Sequence, residues 1–304
     1  VSEAEPSNFP TNPRIVVALA CVYLIWSSTY YAIRVVVQVA PPFGSAAVRY
    51  LLAGVLLMGL ARLRGLPWPR PRQWRDTALL GTLLFGVGNG FVSYASQELG
   101  SGIVAIVCAT MPLAGAALSP LFGMRPSPRE LVGLGLGFVA VALLASGGDL
   151  RAASPIALLL LFLAPPGWAL GSLLVRRLDV GPPLMASAAQ MIGGGLVLLA
   201  VSAARGEAMP SAVTGEATLM FAHMVVSGSL VGFLAYQYLL VHARPALAMS
   251  YAYVNPVLAV LLGTAFGGEP VSIRAFGALA LISAAVFVTV TKPAARAAPL
   301  RDAA

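Results

Sequence analysis

One stretch of this chain occurs twice, and that duplication limits what the chain can fold into. Ile103 to Ala140 reads IVAIVCATMPLAGAALSPLFGMRPSPRELVGLGLGFVA, and 144 residues later Leu247 to Ala284 reads LAMSYAYVNPVLAVLLGTAFGGEPVSIRAFGALALISA. Without a gap, Pro112 falls on Pro256, Gly123 on Gly267, Pro126 on Pro270 and Gly133 on Gly277. Apolar coincidences are cheap in such a sequence, but spaced Pro and Gly matches are not. Each copy is an apolar run containing a proline, a polar Gly-Pro hinge and a second apolar run. That pattern predicts a helical hairpin built for lipid, and its repetition predicts two related halves.

Composition supports the same environment. Charged residues are 10% of the chain and hydrophobic residues 59%, with mean hydropathy +0.86. A soluble domain carries roughly a quarter charged residues, so this chain cannot cover a soluble surface. The net charge of +8 would suit nucleic acid, but arginines set between apolar runs act first as topology signals, and no nucleic-acid partner is expected. Cys21 and Cys108 both lie in apolar runs and read as packing residues, not as a disulfide or metal site. The first 13 residues read as a short soluble tail without the basic flank of a cleavable signal.

Ten apolar runs of about 20 residues are long enough to cross a bilayer as helices: roughly 15–38, 43–61, 76–97, 101–123, 128–146, 154–176, 183–204, 217–241, 245–267 and 271–291. The first half of each repeat also matches. At an offset of 141, Pro41 and Pro42 fall on Pro182 and Pro183, Gly54 on Gly195, and Arg64 and Gly65 on Arg205 and Gly206. At 144, Val87, Gly88 and Tyr94 fall on Val231, Gly232 and Tyr238. The unit is therefore five spans, and an odd unit must be inverted when repeated. The expected organisation is a tail over 1–14, a first five-span repeat over 15–147, an inverted second repeat over 154–291, and a tail over 292–304. Fourteen positive residues fall on the side of the termini. Only Arg151, Arg205 and Arg274 fall on the other, which predicts cytoplasmic termini.

All eleven acidic residues lie in tails, loops or span ends. A buried carboxylate is the usual means of carrying a proton or neutralising a cationic drug at mid-membrane. The chain also lacks a His-Glu metalloprotease helix, a Gly-x-Ser-x-Gly elbow and a facing Asp pair. Intramembrane catalysis then has neither base nor nucleophile, so no enzyme, metal or cofactor is expected.

Neutral polar and aromatic residues remain. Thr82, Gly86, Asn89, Ser93 and Gln97 recur at steps of four, three, four and four, predicting one continuous polar stripe on the third span. Such a stripe is either a cavity wall or helix-helix packing. The cavity reading is adopted because Asn89 is the one amide at that depth in its half. In the eighth span Ser229, Phe233, Tyr236 and Gln237 cluster, Gln237 holding the repeat position of Ser93. Trp26 and Trp168 lie mid-span in corresponding helices, deeper than tryptophan's usual headgroup layer, and suggest an aromatic lining or core packing. Pro112 and Pro256 each free a carbonyl and could act as hinges. The candidate cavity set is Trp26, Thr29, Tyr30, Asn89, Ser93, Tyr94, Met111, Trp168, Ser172, Phe233, Gln237, Tyr251 and Asn255. Arg34 and Arg49 could draw a carboxylate to the outer mouth, but snorkelling to headgroups is the preferred reading. His223 and His242, near opposite faces, read as structural.

Ten spans in two inverted halves, with W-S-S-T-Y-Y at Trp26–Tyr31, A-A-V-R-Y-L-L-A-G at Ala46–Gly54 and N-P-V-L-A-V-L-L-G-T-A-F-G-G-E-P at Asn255–Pro270, resemble the drug/metabolite transporter superfamily, EamA type. The resemblance covers nearly the whole chain and, within the group, is greatest to the YddG-type amino acid exporters. It implies a central cavity built by spans one, three, four, six, eight and nine, with alternating access between halves. Trp26, Asn89, Trp168, Gln237 and Asn255 match positions that would line it. The halves depart from each other where Met111 stands for Asn255 and Arg125 for Glu269. Four-span members of the superfamily carry a proton-coupling glutamate in span one, and this chain has no acid there.

The resulting expectation is an all-α integral membrane protein with ten transmembrane helices, two inverted five-helix repeats around a central cavity. It would act as a monomer in a bacterial inner membrane, exporting amino acids, aromatic ones included, and related small metabolites by facilitated alternating access. The alternatives are a nucleotide-sugar or sugar-phosphate transporter, a proton-coupled drug exporter, or a structural or lipid-handling protein with a sealed core.

Overall fold

The structure is a computed structural model that describes residues 12–146, 150, 153–208, 210, 212–243 and 250–290. These form ten helical spans, and no strand occurs among the described residues. They are α1 (Pro13–Val37), α2 (Pro42–Leu63), α3 (Pro71–Ala95), α4 (Ser101–Phe122), α5 (Pro128–Ser146), α6 (Pro155–Leu174) and α7 (Pro183–Ala204). In the second repeat α8 runs end to end as Gly215–His223, Met224–Val231 and Gly232–His242, followed by α9 (Tyr251–Gly267) and α10 (Ile273–Val290). The third span thus starts at Pro71, earlier than its apolar run suggests, and the first residues expected of the ninth, 245–249, lie outside the described residues.

The sequence explains where these helices begin. Pro13, Pro42, Pro71, Pro128, Pro155 and Pro183 each open one, where the missing N–H costs nothing and the fixed φ suits the first turn. Asn12, Ser154 and Thr214 accept from the first-turn N–H groups of α1, α6 and α8. After α2 and α7 the chain reverses through the repeat mates Gly65 (φ 76) and Gly206 (φ 67), a left-handed conformation that glycine adopts without strain.

Among the described residues seven helices are long and apolar enough to cross a membrane, and α9 and α10 contain the shorter apolar helices Val254–Gly267 and Ile273–Val288. Large apolar side chains such as Leu24, Val55, Phe138, Leu159, Leu196 and Phe266 stand exposed around the bundle. Many exposed apolar groups on separate helices fit a surface solvated by lipid.

Contacts between the halves repeat with roles exchanged. α2 packs on α7 and α5 on α10, each on its own repeat mate; α3 packs on α6 as α8 does on α1, and α1 on α9 as α6 does on α4. At the α2–α7 contact a Cβ on Gly54 would lie 2.7 Å from Ile192 Cγ1, and one on Gly195 would lie 2.9 Å from Leu51 Cγ. Gly54 matches Gly195 and Leu51 matches Ile192 in the repeat, so this is one contact made twice across a two-fold axis. Since each half has five spans, the exchange also reverses direction across the membrane.

Both third helices of the repeats contain a π-helical stretch, Thr82–Gly90 in α3 and Met224–Val231 in α8. A π turn takes in an extra residue, so the 3.6-residue count behind the expected polar stripe fails across Thr82–Gly90. Thr82 Oγ1 bonds back to Ala78 O, Ser93 is buried and Gln97 exposed, and of the five only Asn89 reaches the cavity described next.

Candidate functional site

Between the halves lies a cavity that is partly open at its mouth. Its wall draws on α1, α2, α3, α4, α6, α8 and α9. Of the expected residues, Trp26, Thr29, Tyr30, Asn89, Met111, Trp168, Phe233, Tyr251 and Asn255 meet here, together with Pro256.

The others stand elsewhere. Ser93 is buried off the cavity, and the Tyr94 ring stacks on Phe43 with centroids 5.7 Å apart. Ser172 Oγ donates to Trp168 O, one turn away from the lining. The Gln237 side chain lies outside the described residues. Pro112 is also off the wall, but it breaks α4 at Ala109–Thr110, whereas α9 passes through Pro256 as one helix. Each proline leaves the carbonyl four residues earlier without its helical donor. Those residues, Cys108 and Ala252, both line the cavity.

The aromatic wall is a connected cluster. The Trp26 ring lies 5.6 Å from Phe233, 5.2 Å from Tyr236 and 5.1 Å from Tyr251. Phe85 links Phe233 at 5.7 Å to Trp168 at 6.1 Å. Two glycines allow this packing. A Cβ on Gly232 would lie 2.5 Å from Trp26 Nε1, and one on Gly88 would lie 2.9 Å from Trp168 Cε3. Gly88 and Gly232 are repeat mates, so each tryptophan rests on the matching glycine of the opposite half. That match was present in the sequence.

Sequence reasoning missed the contribution of α2. Arg49 and Tyr50 line the cavity, and Arg49 is buried, not reaching for headgroups. Arg34 instead donates to the carbonyls of Ser96 and Gln97, both at 2.6 Å, and caps the end of α3. Pro165, in the Ala164-Pro165-Pro166-Gly167 run of α6, also lines the wall. Its signal was a helix-interior proline next to the already noted Trp168. His223 Nε2 lies 2.9 Å from Ser28 Oγ, and Glu98 holds the backbone N–H and hydroxyl of Ser154; neither lines the cavity.

An inverted pair of helical repeats enclosing an aromatic and amide cavity is the architecture of a multi-span membrane transporter. The EamA-like transporter family model matches residues 13–146 and 155–291, and the chain belongs to that family. It is 41% identical over 277 residues to the "uncharacterized inner membrane transporter YedA" of Escherichia coli (strain K12), covering 90% of each chain. It is 28% identical to "Protein PecM" of Dickeya dadantii (strain 3937) over 87% of this chain and 88% of that one. A solved crystal structure 19% identical in sequence covers 91% of this chain and 96% of its own with a TM-score of 0.63, a likeness of fold alone.

Proposed function

We propose that this transporter exports amino acids, aromatic ones included, and related small metabolites, by alternating access and without proton coupling. The observation behind the reading is the cavity wall itself. Trp26, Trp168, Tyr30 and Tyr251 offer ring faces to an apolar side chain, and Asn89 and Asn255 offer neutral hydrogen-bonding groups. No Asp, Glu or His is among the lining residues, so a driving proton has no carrier there. Glu98 is committed to the start of α6. The two halves rock about the axis between them, with α4 and α9 bending at Pro112 and Pro256. The protein acts as a monomer on a small-molecule substrate. Purified protein in liposomes is expected to admit labelled phenylalanine and tryptophan down their gradients, unaffected by an imposed pH difference. Vesicles that admit none of a broad amino acid panel would refute the substrate. Accumulation above equilibrium that is abolished by His223→Ala or Glu98→Gln would refute the facilitated mechanism.

The YedA relative's description as an inner membrane transporter supports the same membrane for this chain, and the distribution of positive residues supports cytoplasmic termini. Single cysteines at Pro42 and Pro182 test that orientation. An impermeant thiol reagent applied outside is expected to label the first and spare the second; equal labelling would overturn it.

A further inference from the structure

Arg49 is a buried cation that pairs with no carboxylate among the described residues. It lies in the interior of α2, 6% exposed. Its Nε donates to Ser229 Oγ at 3.1 Å, one terminal nitrogen reaches only the Met224 sulfur at 3.7 Å, and the guanidinium lies 4.8 Å over its neighbour Tyr50. Elsewhere Arg72 and Arg75 pair with Asp76, and Arg205 with Glu207. A guanidinium has five N–H donors in a rigid fork that matches a carboxylate. A buried charge without a partner is strongly unfavourable, yet this one lines the cavity.

A second buried group on the same wall also lacks a partner. Asn255 is 5% exposed and its Oδ1 accepts no hydrogen bond from the described residues, although the residue too lines the cavity. A buried carbonyl oxygen without a donor is rare, and its natural complement is an N–H group supplied from outside. A fork of donors and an unpaired acceptor therefore belong to one cavity wall, and Trp26 and Tyr251 line it with them. Those ring faces are attractive to an ammonium as well as to apolar carbon.

Building on the amino acid reading, we propose that Arg49 binds the substrate's carboxylate and Asn255 Oδ1 its ammonium group. The ring cluster then takes the side chain. The substrate class is narrowed to α-amino acids with an apolar or aromatic side chain. A single guanidinium satisfies one carboxylate, whereas a doubly charged phosphate would call for more than one cation.

Binding to the full-length protein in nanodiscs, followed by tryptophan fluorescence or calorimetry, tests the assignment with three probes. These are L-phenylalanine, L-phenylalaninamide (no carboxylate) and 3-phenylpropionate (no ammonium). Each truncated probe is expected to bind wild type about 10-fold or more weaker than phenylalanine, the loss of one charge-assisted partner. Arg49→Gln is expected to weaken phenylalanine by about 10-fold or more and leave phenylalaninamide within about twofold, with Arg49→Lys recovering part of the loss. Asn255→Leu is expected to weaken phenylalanine and spare 3-phenylpropionate. A variant that merely folds poorly would lose its spared probe as well, so the crossed pattern separates recognition from structure. If wild type and Arg49→Gln bind phenylalanine equally, the assignment of Arg49 falls while the amino acid reading stands. If wild type binds none of the three yet transports a metabolite without a carboxylate, the amino acid reading falls and takes the assignment with it.

Discussion

α3 and α8 are the same helix of the repeat, and they meet the same problem differently. In each, a carbonyl of the π-helical stretch accepts a side-chain hydrogen bond, and the two carbonyls concerned, Leu84 O and Gly228 O, are repeat mates 144 residues apart. In α3 the carbonyl is met from within, by Asn89 Nδ2 at 3.3 Å. In α8 the position of Asn89 is Phe233, which cannot donate, and Trp26 of the opposite half supplies Nε1 at 3.2 Å. The backbone device was kept and its partner changed. One cavity wall thereby gained an amide, and the other gained an aromatic cluster anchored across the two halves.

The ends of the bundle differ in the same way. At the end opposite the termini, three carboxylates reach the N-terminus of a helix in the other half. Glu269 accepts from Ser101 N and Oγ and from Gly102 N at the start of α4, Glu98 accepts from Ser154 before α6, and Glu207 accepts from Gly44 N in α2. Anions at helix N-termini are stabilised by the unpaired N–H groups there. The repeat positions at the other end are Arg125, His242 and Leu66, none of them acidic. That end is joined by different bonds, Asp179 N to Asp76 and Arg177 to Phe122 O. Under the alternating-access mechanism proposed above the two ends would open separately, and non-equivalent ties would give each its own strength.

The largest expected effect tests the glycine seats under the two tryptophans. Gly232→Ala would place a methyl 2.5 Å from Trp26 Nε1 and 3.0 Å from Cδ1, and the indole must leave its carbonyl to make room. A destabilisation of about 2–3 kcal/mol is expected from overpacking plus the lost bond, read by equilibrium unfolding in mixed micelles. Gly88→Ala meets Trp168 Cε3 at 2.9 Å, with no hydrogen bond there among the described contacts, so about 1 kcal/mol is expected. Equal costs at the two sites would mean that the anchoring bond contributes nothing and that the walls are alike after all.

Much of this was legible in the sequence because it rests on local chemistry. Prolines mark the helix starts, Gly65 and Gly206 mark the matched reversals, and the Pro112–Pro256 register exposes the duplication before any packing is known. Trp26, Trp168 and Asn255 could be placed at the cavity because their depth follows from counting along a span. The π-helical stretches could not be read, since a 3.6-residue period was assumed where backbone bonding adds a residue per turn. The stripe through Thr82 and Ser93 was lost with that assumption. Arg49 was misjudged because a long basic side chain near a span end can face headgroups or a cavity with the same sequence. Only the packing of α2 against α8, with Ser229 beside the guanidinium, decides between them.

A smaller effect tests whether the two side-chain donors to this carbonyl are interchangeable. Trp26→Phe keeps an aromatic ring against Tyr236 and Tyr251 but removes the donor to Gly228 O, so a loss of about 1–2 kcal/mol is expected from the lost buried hydrogen bond. Asn89→Ala is expected to cost less, about 0.5–1 kcal/mol, because its bond to Leu84 O is longer and Asn89 borders the cavity, where water can replace it. Phe233 occupies the repeat position of Asn89, so Phe233→Asn in the Trp26→Phe background would give α8 the donor that α3 carries. If the backbone geometry of the two stretches is equivalent, the double variant is expected to be more stable than the sum of its single changes by about 0.5–1 kcal/mol. Strict additivity in that cycle would show that the amide solution works only in α3, and that the α8 stretch depends on a partner from the opposite half.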